Sequence, residues 1–227
     1  VKNVLLLDCE TTGMDPAQGA RCIEVAVQLY DIEQATPIVS FSSLMWDPAE
    51  KPDNPMEKVN GISAAMLMGA PTPADVWRRV RTISMGAECI VAHRAEFDMK
   101  FTPPLWNGAK WVCTKSDFKW PRGLRGDHLV HLALGLGLGV IAAHRAMTDV
   151  DMMSRVLTRV AELGGDLQEL FRLALRPKVR VVSMAPFEMK DVVKEHGFFW
   201  EPARKHWYRN MPLEDVAELP FHAVVQP

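Results

Sequence analysis

Val4-Leu5-Leu6-Leu7 is an unbroken apolar run closed by Asp8, the pattern of a central strand whose C-terminal end carries chemistry. Ile23, Val25, Val27 and Leu29 alternate with Glu24, Ala26 and Gln28, the period-two signature of a second strand. Pro37 to Met45 reads as a third, after a turn around Asp31 to Thr36, and the short links imply an antiparallel meander. The proline- and charge-rich stretch from Pro48 to Pro55 reads as loop. Ser63 is placed to cap a short helix through Leu67. Thr72-Pro73-Ala74-Asp75 sets a cap, a first-turn proline and an acid at the third helical position, opening a helix to about Ser84. Cys89–Ala92 and Trp111–Cys113 read as short strands, and Glu96–Leu105, Asp127–Leu134 and Thr148–Leu163 as helices. Asp166 with Glu169 caps a further helix, Leu167–Leu175.

The pattern changes at Pro177. Val179, Val181 and Val182 suggest a strand, Pro186 to His196 a helix, and Phe198–Trp200 and His206–Arg209 two short strands around Glu201-Pro202-Ala203. Alternation puts Phe198 and Trp200 on one face of that hairpin, with Trp207 and Arg209 sharing a face across the turn. The expected fold is therefore α/β: a domain over residues 1–176 with a mixed central sheet flanked by helices, and a small β-α-β-β module with its tail over 177–227. A chain of 227 residues is long enough for one sizeable core and a small appendage.

Composition adds constraints. The four cysteines, Cys9, Cys22, Cys89 and Cys113, are widely separated, which argues for buried thiols over a disulfide frame or zinc site. The longest apolar candidate, Leu129 to Ala143, is too short and glycine-rich for a membrane span. The first apolar run lacks a cleavage-like sequel, so the expected setting is cytoplasmic. The net charge of −2 predicts no polyanion partner, but its distribution is uneven. Between Arg172 and Arg209 the basic residues are Arg172, Arg176, Lys178, Arg180, Lys190, Lys194, Arg204, Lys205 and Arg209, opposed only by Glu188, Asp191, Glu195 and Glu201.

Residues two apart in a strand share a face, so Asp8 and Glu10 point the same way. Two such carboxylates repel each other, and a hard cation such as Mg²⁺ or Mn²⁺ relieves the repulsion. Two further acids follow strand-to-helix transitions, Asp98 in Val91-Ala-His-Arg-Ala-Glu-Phe-Asp98 and Asp149 in Ala143-His-Arg-Ala-Met-Thr-Asp149. Five residues turn a helix by about 500°, which would leave His144 and Asp149 roughly 140° apart. They converge if His144 sits in the loop before the helix.

Asp8-Cys-Glu-Thr-Thr-Gly13, His93-Arg-Ala-Glu-Phe-Asp98 and His144-Arg-Ala-Met-Thr-Asp149 resemble, in order and separation, the three motifs of the DnaQ-like exonucleases, in their DEDDh branch. The resemblance covers about residues 1–175. Glu24 in an Ile-Glu-Val-Ala run, Asn60-Gly-Ile62 and Trp111-Val-Cys-Thr114 extend it toward the exonuclease X and replicase-proofreading groups. Two positions depart: Arg94 stands where the second motif normally has asparagine, and Asn60 where a histidine is usual.

The resemblance implies a ribonuclease H-like fold and 3′-to-5′ hydrolysis of phosphodiesters from the 3′ end, releasing nucleoside 5′-monophosphates. It implies two Mg²⁺ or Mn²⁺ held by Asp8, Glu10, Asp98 and Asp149, with His144 as general base. Thr11, Thr12, Gly13 and Met14 would meet the terminal nucleotide, Met14 as an apolar wedge, and Arg94 would stand near its phosphate. The partner expected is single-stranded nucleic acid or a 3′ end, DNA favoured over RNA. An exoribonuclease and a non-catalytic nucleic-acid-binding scaffold are the alternatives. His93 reads as structural, His128 and His131 as surface or packing residues, and Phe97 as an anchor for the Asp98 helix. Val193–Arg209 resembles small "G-x-x-W … K-x-W-Y" modules of nucleic-acid enzymes, making Lys205, Tyr208 and Arg209 candidates for substrate contact, with packing or protein association the competing roles.

Overall fold

β1 (Asn3–Thr11) runs through the middle of a five-stranded sheet of order β3-β2-β1-β4-β5 in the computed structural model, which describes residues 1–103, 108–121, 124, 126, 128–140 and 145–226. β2 (Cys22–Asp31) and β3 (Thr36–Leu44) form the antiparallel meander, and β4 (Ile90–Ala92) and β5 (Trp111–Cys113) add in parallel on the other side. Alternation along β1 divides its side chains between two cores. Val4 and Leu6 pack with Ala26, Tyr30 and Val91 beneath α6 (Ala146–Glu162), which contributes Val150, Met153, Val156, Leu157 and Val160. Leu5, Leu7 and Cys9 face the opposite side, against Val76 and Val80 of α3 (Pro73–Ser84). Each fully buried aliphatic side chain contributes about 1.5–3 kcal/mol. By the same parity Asp8 and Glu10 continue the α6 side.

Caps place the helices much as the sequence predicts. α1 (Glu57–Asn60) precedes α2 (Ala64–Leu67), where the Ser63 hydroxyl accepts the Met66 N–H. At α3, Thr72 accepts the Asp75 N–H and donates to the Asp75 carboxylate at 2.7 Å. α4 (Ala95–Asp98) is a single turn where a helix from Glu96 to Leu105 is expected. Pro103 and Pro104 account for the early stop, since proline removes a donor and disfavours helix before it; residues 104 and 105 themselves lie outside the described residues. α5 (Leu129–Gly135) and α7 (Leu167–Ala174) follow their periodic runs, Asp166 capping α7 at 3.0 Å from the Glu169 N–H. Asp127, the expected start of α5, is outside the described residues. Among those described, no helix is long and apolar enough to cross a membrane.

A second sheet, of order β7-β8-β6-β9, is built from β6 (Lys178–Ser183), β7 (Phe199–Glu201), β8 (His206–Pro212) and β9 (Ala223–Val225), with α8 (Lys190–Glu195) packed on it. The β-α-β-β expectation needs correction here, because the tail returns as β9 and pairs antiparallel with β6. A three-residue apolar run is too short for periodicity to reveal. Val181, Val193, Phe198 and Met211 form its core, with Trp207, Leu219 and Phe221 packed around them.

The two sheets are joined through residues 114–119 and α4. Lys178 pairs with Asp117 at 2.5 Å, and Asp215 meets Arg176 at 2.6 Å and Lys119 at 3.2 Å. The Arg209 guanidinium donates to the Ser116 and His196 carbonyls. Gly197 sits at this seam with φ of 76°, and a Cβ there would lie 3.2 Å from the Ser116 Cβ. Gly197→Ala is accordingly expected to cost roughly 1–3 kcal/mol, from the left-handed backbone and the contact together. Denaturant midpoints measure this; an unchanged midpoint would mean that the seam yields freely.

Candidate active site

Asp8 and Glu10 leave β1 on the side of α6, and Asp149 rises from the first turn of that helix to meet them. One carboxylate oxygen from each lies within 4.8 Å of the others. Asp98, 2% exposed at the end of α4, sits behind them with its Oδ1 accepting the Cys9 N–H at 3.1 Å. The four acids come from three segments far apart in the chain and converge because β4 lies beside β1 and α6 lies over it. His144 is outside the described residues.

Electrostatics describe what such a cluster needs. The Asp8 carboxyl is pushed well above the usual range, by burial first and then by Asp98, Asp149 and Glu10. Burial raises Asp98 to about 8 against the lowering pull of the Cys9 N–H. Glu10 is pushed up to about 7 by burial, then by Asp149 and Glu24, with Arg145 opposing. An all-carboxylate donor set of mutually repelling acids fits a hard divalent cation and fits soft thiolate-seeking metals poorly.

Glu24 has a structural task beyond its likeness to the family run. It is buried directly across from Glu10 in the β1–β2 register. Its carboxylate accepts from Arg145 Nε at 3.0 Å, Arg145 Nη2 at 2.7 Å and the Ala146 N–H at 3.1 Å. That bidentate grip explains why α6 starts at Ala146, ahead of the expected Thr148, and it fixes the residue that follows His144.

A cleft of about 550 Å³ opens over the acids. Thr11 and Met14 line it, Met14 with 62% of its surface exposed at the rim. Asn60, which stands where a histidine is usual, donates from Nδ2 to the Thr11 carbonyl at 3.2 Å and accepts the Ile62 N–H. Thr12 is turned away: its N–H and hydroxyl both bond Arg21 at 2.9 Å, and with Gly13 it lines a neighbouring pocket. Gly13 is tight because a Cβ there would lie 3.1 Å from that of Ala20. Phe97 packs on Phe101 at 5.0 Å and also lines the cleft, so anchoring and exposure coexist. His93 bonds the Thr114 hydroxyl through Nδ1 at 2.8 Å, as a structural histidine does.

Arg94 is exposed on the cleft wall with φ of 83°. Asparagine, usual at this position in the resemblance, tolerates left-handed backbone far better. The chain accepts that strain and gains a cation. His128 and His131, read from the sequence as surface or packing residues, both line the cleft with rings 5.0 Å apart. His131 lies in α5 and His128 is its extended N-cap, so the two rings meet at the start of the helix.

The late candidates are placed elsewhere. Lys205 stands on the exposed β7–β8 turn and does not line the cleft. Tyr208 donates its hydroxyl to Glu96 at 3.2 Å beneath the Arg180 guanidinium, 3.8 Å from the ring centroid. Arg209 holds the seam. Tyr208 and Arg209 therefore both have partners that join the two sheets.

The exonuclease family profile matches residues 5–104, and a profile for a domain of unknown function matches residues 183–226. Over 162 residues, 66% of this chain and 73% of the relative, the chain is 31% identical to DNA polymerase III subunit epsilon of Treponema pallidum. Against the same subunit of Aquifex aeolicus it is 27% identical over 166 residues, 70% of this chain and 80% of the relative. Among solved structures, exonuclease X in complex with 5′ overhanging duplex DNA shares the fold with a TM-score of 0.56 at 23% identity, across 75% of this chain and 99% of that one.

Proposed function

The chain belongs to the DnaQ-like exonuclease family, and from that premise we propose that it is a 3′-to-5′ exodeoxyribonuclease releasing nucleoside 5′-monophosphates. The observation that carries this reading is the convergence of Asp8, Glu10 and Asp149, with Asp98 behind them, at the floor of one cleft. Residues 1–176 form its exonuclease domain and 177–227 an accessory module. Two Mg²⁺ or Mn²⁺ held by the four acids would supply Lewis-acid stabilisation of charge on the attacking and leaving oxygens.

The chain's own residues have separable tasks. His144 accepts the proton of the attacking water, a role suited to an imidazole with an ordinary pKa near 6.5. Glu24 holds Arg145 and so restrains the segment next to that histidine. Thr11 and Met14 bound the terminal nucleotide, Met14 by apolar contact with its base, and Arg94 lies within reach of its phosphate. DNA is favoured because the relatives are subunits of a DNA polymerase. Four free cysteines suit a cytoplasmic setting.

Strands carrying a 3′-terminal label, of DNA and of RNA with one sequence, single-stranded and duplex, test this with Mg²⁺ or Mn²⁺. The expected product is labelled mononucleotide, faster from DNA. Faster release from RNA would overturn the substrate assignment, and no release from any strand would overturn the activity. His144→Ala should lower turnover by about 10²–10⁴-fold and remove the acid limb of the pH–rate profile. A variant that keeps that limb excludes His144 as base.

A further inference from the structure

The catalytic cleft does not end at Arg94. That residue lines both the cleft and a second groove at the seam between the sheets, whose walls also include Lys115, Lys194, Phe198, Phe199, Trp200 and Trp207. Three cations and four aromatic residues thus share one channel, and the two tryptophan rings pair at a tilt of 56°. Trp200 and Trp207 are cross-strand partners with centroids 5.4 Å apart, and Trp200 keeps 46% of its surface exposed. Lys194 lies 5.6 Å from the Trp207 ring, and its ion pair with Asp191 at 3.3 Å is exposed on both sides. Exposed pairs of that kind contribute little, so the ammonium can exchange its partner for a phosphate at small cost.

We infer that this groove holds the single-stranded stretch of nucleic acid that trails from the 3′ end lying in the cleft, with bases on the Trp200–Trp207 platform and phosphates on Arg94, Lys115 and Lys194. The inference rests on the exonuclease reading above and names the strand-holding site of that same enzyme. Cations tracking a backbone and aromatic faces receiving bases are what sequence-tolerant binding of single strands requires. Arg94 makes the two surfaces continuous, and its left-handed backbone is a cost that a purely structural residue at this position need not carry. The strand-holding residues thus differ from those the sequence suggests: Tyr208 and Arg209 hold the module in place, and Trp200 and Trp207 of the same hairpin meet the strand.

The test is release of the first nucleotide from 3′-labelled oligothymidylates of about 4 and about 20 nucleotides, by the full chain with Mg²⁺ at subsaturating strand. Binding that is uniform between ground and transition states appears in kcat/KM. Trp200→Ala is expected to lower the long-strand value roughly five- to hundredfold relative to the short-strand value. Lys194→Ala, a surface change that leaves the platform in place, should weaken the salt dependence of the long strand by about one counterion. If both variants fold and both strand lengths lose equally, or neither loses, the groove does not hold the strand. If Trp200→Ala fails to fold, the salt slope of Lys194→Ala decides alone. Failure of the underlying reading looks different: the unaltered chain would release no nucleotide from either strand.

Discussion

Asp8→Asn is expected to lower metal-dependent mononucleotide release by about a thousandfold or more, while raising the thermal midpoint of the metal-free protein. Both effects have one cause. Asp8 is surrounded by Asp98, Asp149 and Glu10, and its carboxyl is raised further than burial alone requires. An amide keeps the shape and deletes a charge that the folded chain tolerates only for its chemistry. Removing one preorganised electrostatic group commonly costs 10²–10³-fold in rate, and Asp8 stands at the centre of the cluster, within the field of every other acid. Stability gained together with activity lost identifies a functional cluster, because a structural acid would lose both. Mononucleotide release within tenfold of the unaltered chain would remove Asp8 from the site.

The second large effect is a pH dependence that a divalent cation should suppress. Glu10 moves from 4.5 to about 7 and Asp98 from 3.8 to about 8 on folding. A raised carboxyl pKa means that the folded state binds more protons than the unfolded chain between the two values. Stability therefore falls as pH rises across that window, from about 4 to about 8. Chemical denaturation of metal-free protein at both ends of the window measures the fall. Added Mg²⁺ or Mn²⁺ should flatten it by binding the ionised cluster of the folded state alone. A metal-free protein more stable at the upper end, or a slope indifferent to the cation, would contradict the cluster as a cation site.

Much of this arrangement is legible in the sequence because simple periodicities govern it. The four-residue apolar run and the two acids spaced by one residue define β1, its central position and the common face of Asp8 and Glu10. The caps at Ser63, Thr72 and Asp166 announce their helices because each side chain has one local donor to satisfy. What stays hidden depends on distant contacts. Nothing local says that Glu24 will reach 121 residues along the chain to Arg145. The Tyr208–Glu96 bond, 112 residues apart, is equally silent. β9 escapes because three apolar residues carry no period, and His128 and His131 escape because the sequence does not say which cleft the start of α5 borders.

The strand that carries Asp8 and Glu10 is hydrogen-bonded on both sides, by β2 and by β4, and lies between two packed cores. Part of the cleft border comes from pieces outside the sheet, among them the turn at Met14 and the start of α5. This division of labour bears on how such an enzyme diversifies. Insertions or exchanges in the bordering pieces can alter which nucleic acid is accepted without moving the acids, because the reference frame of the chemistry is the sheet itself. Innovation in specificity is thereby decoupled from the hazard of losing catalysis. Lineages carrying this scaffold are free to explore substrates by editing its borders while the strand at its centre stays fixed.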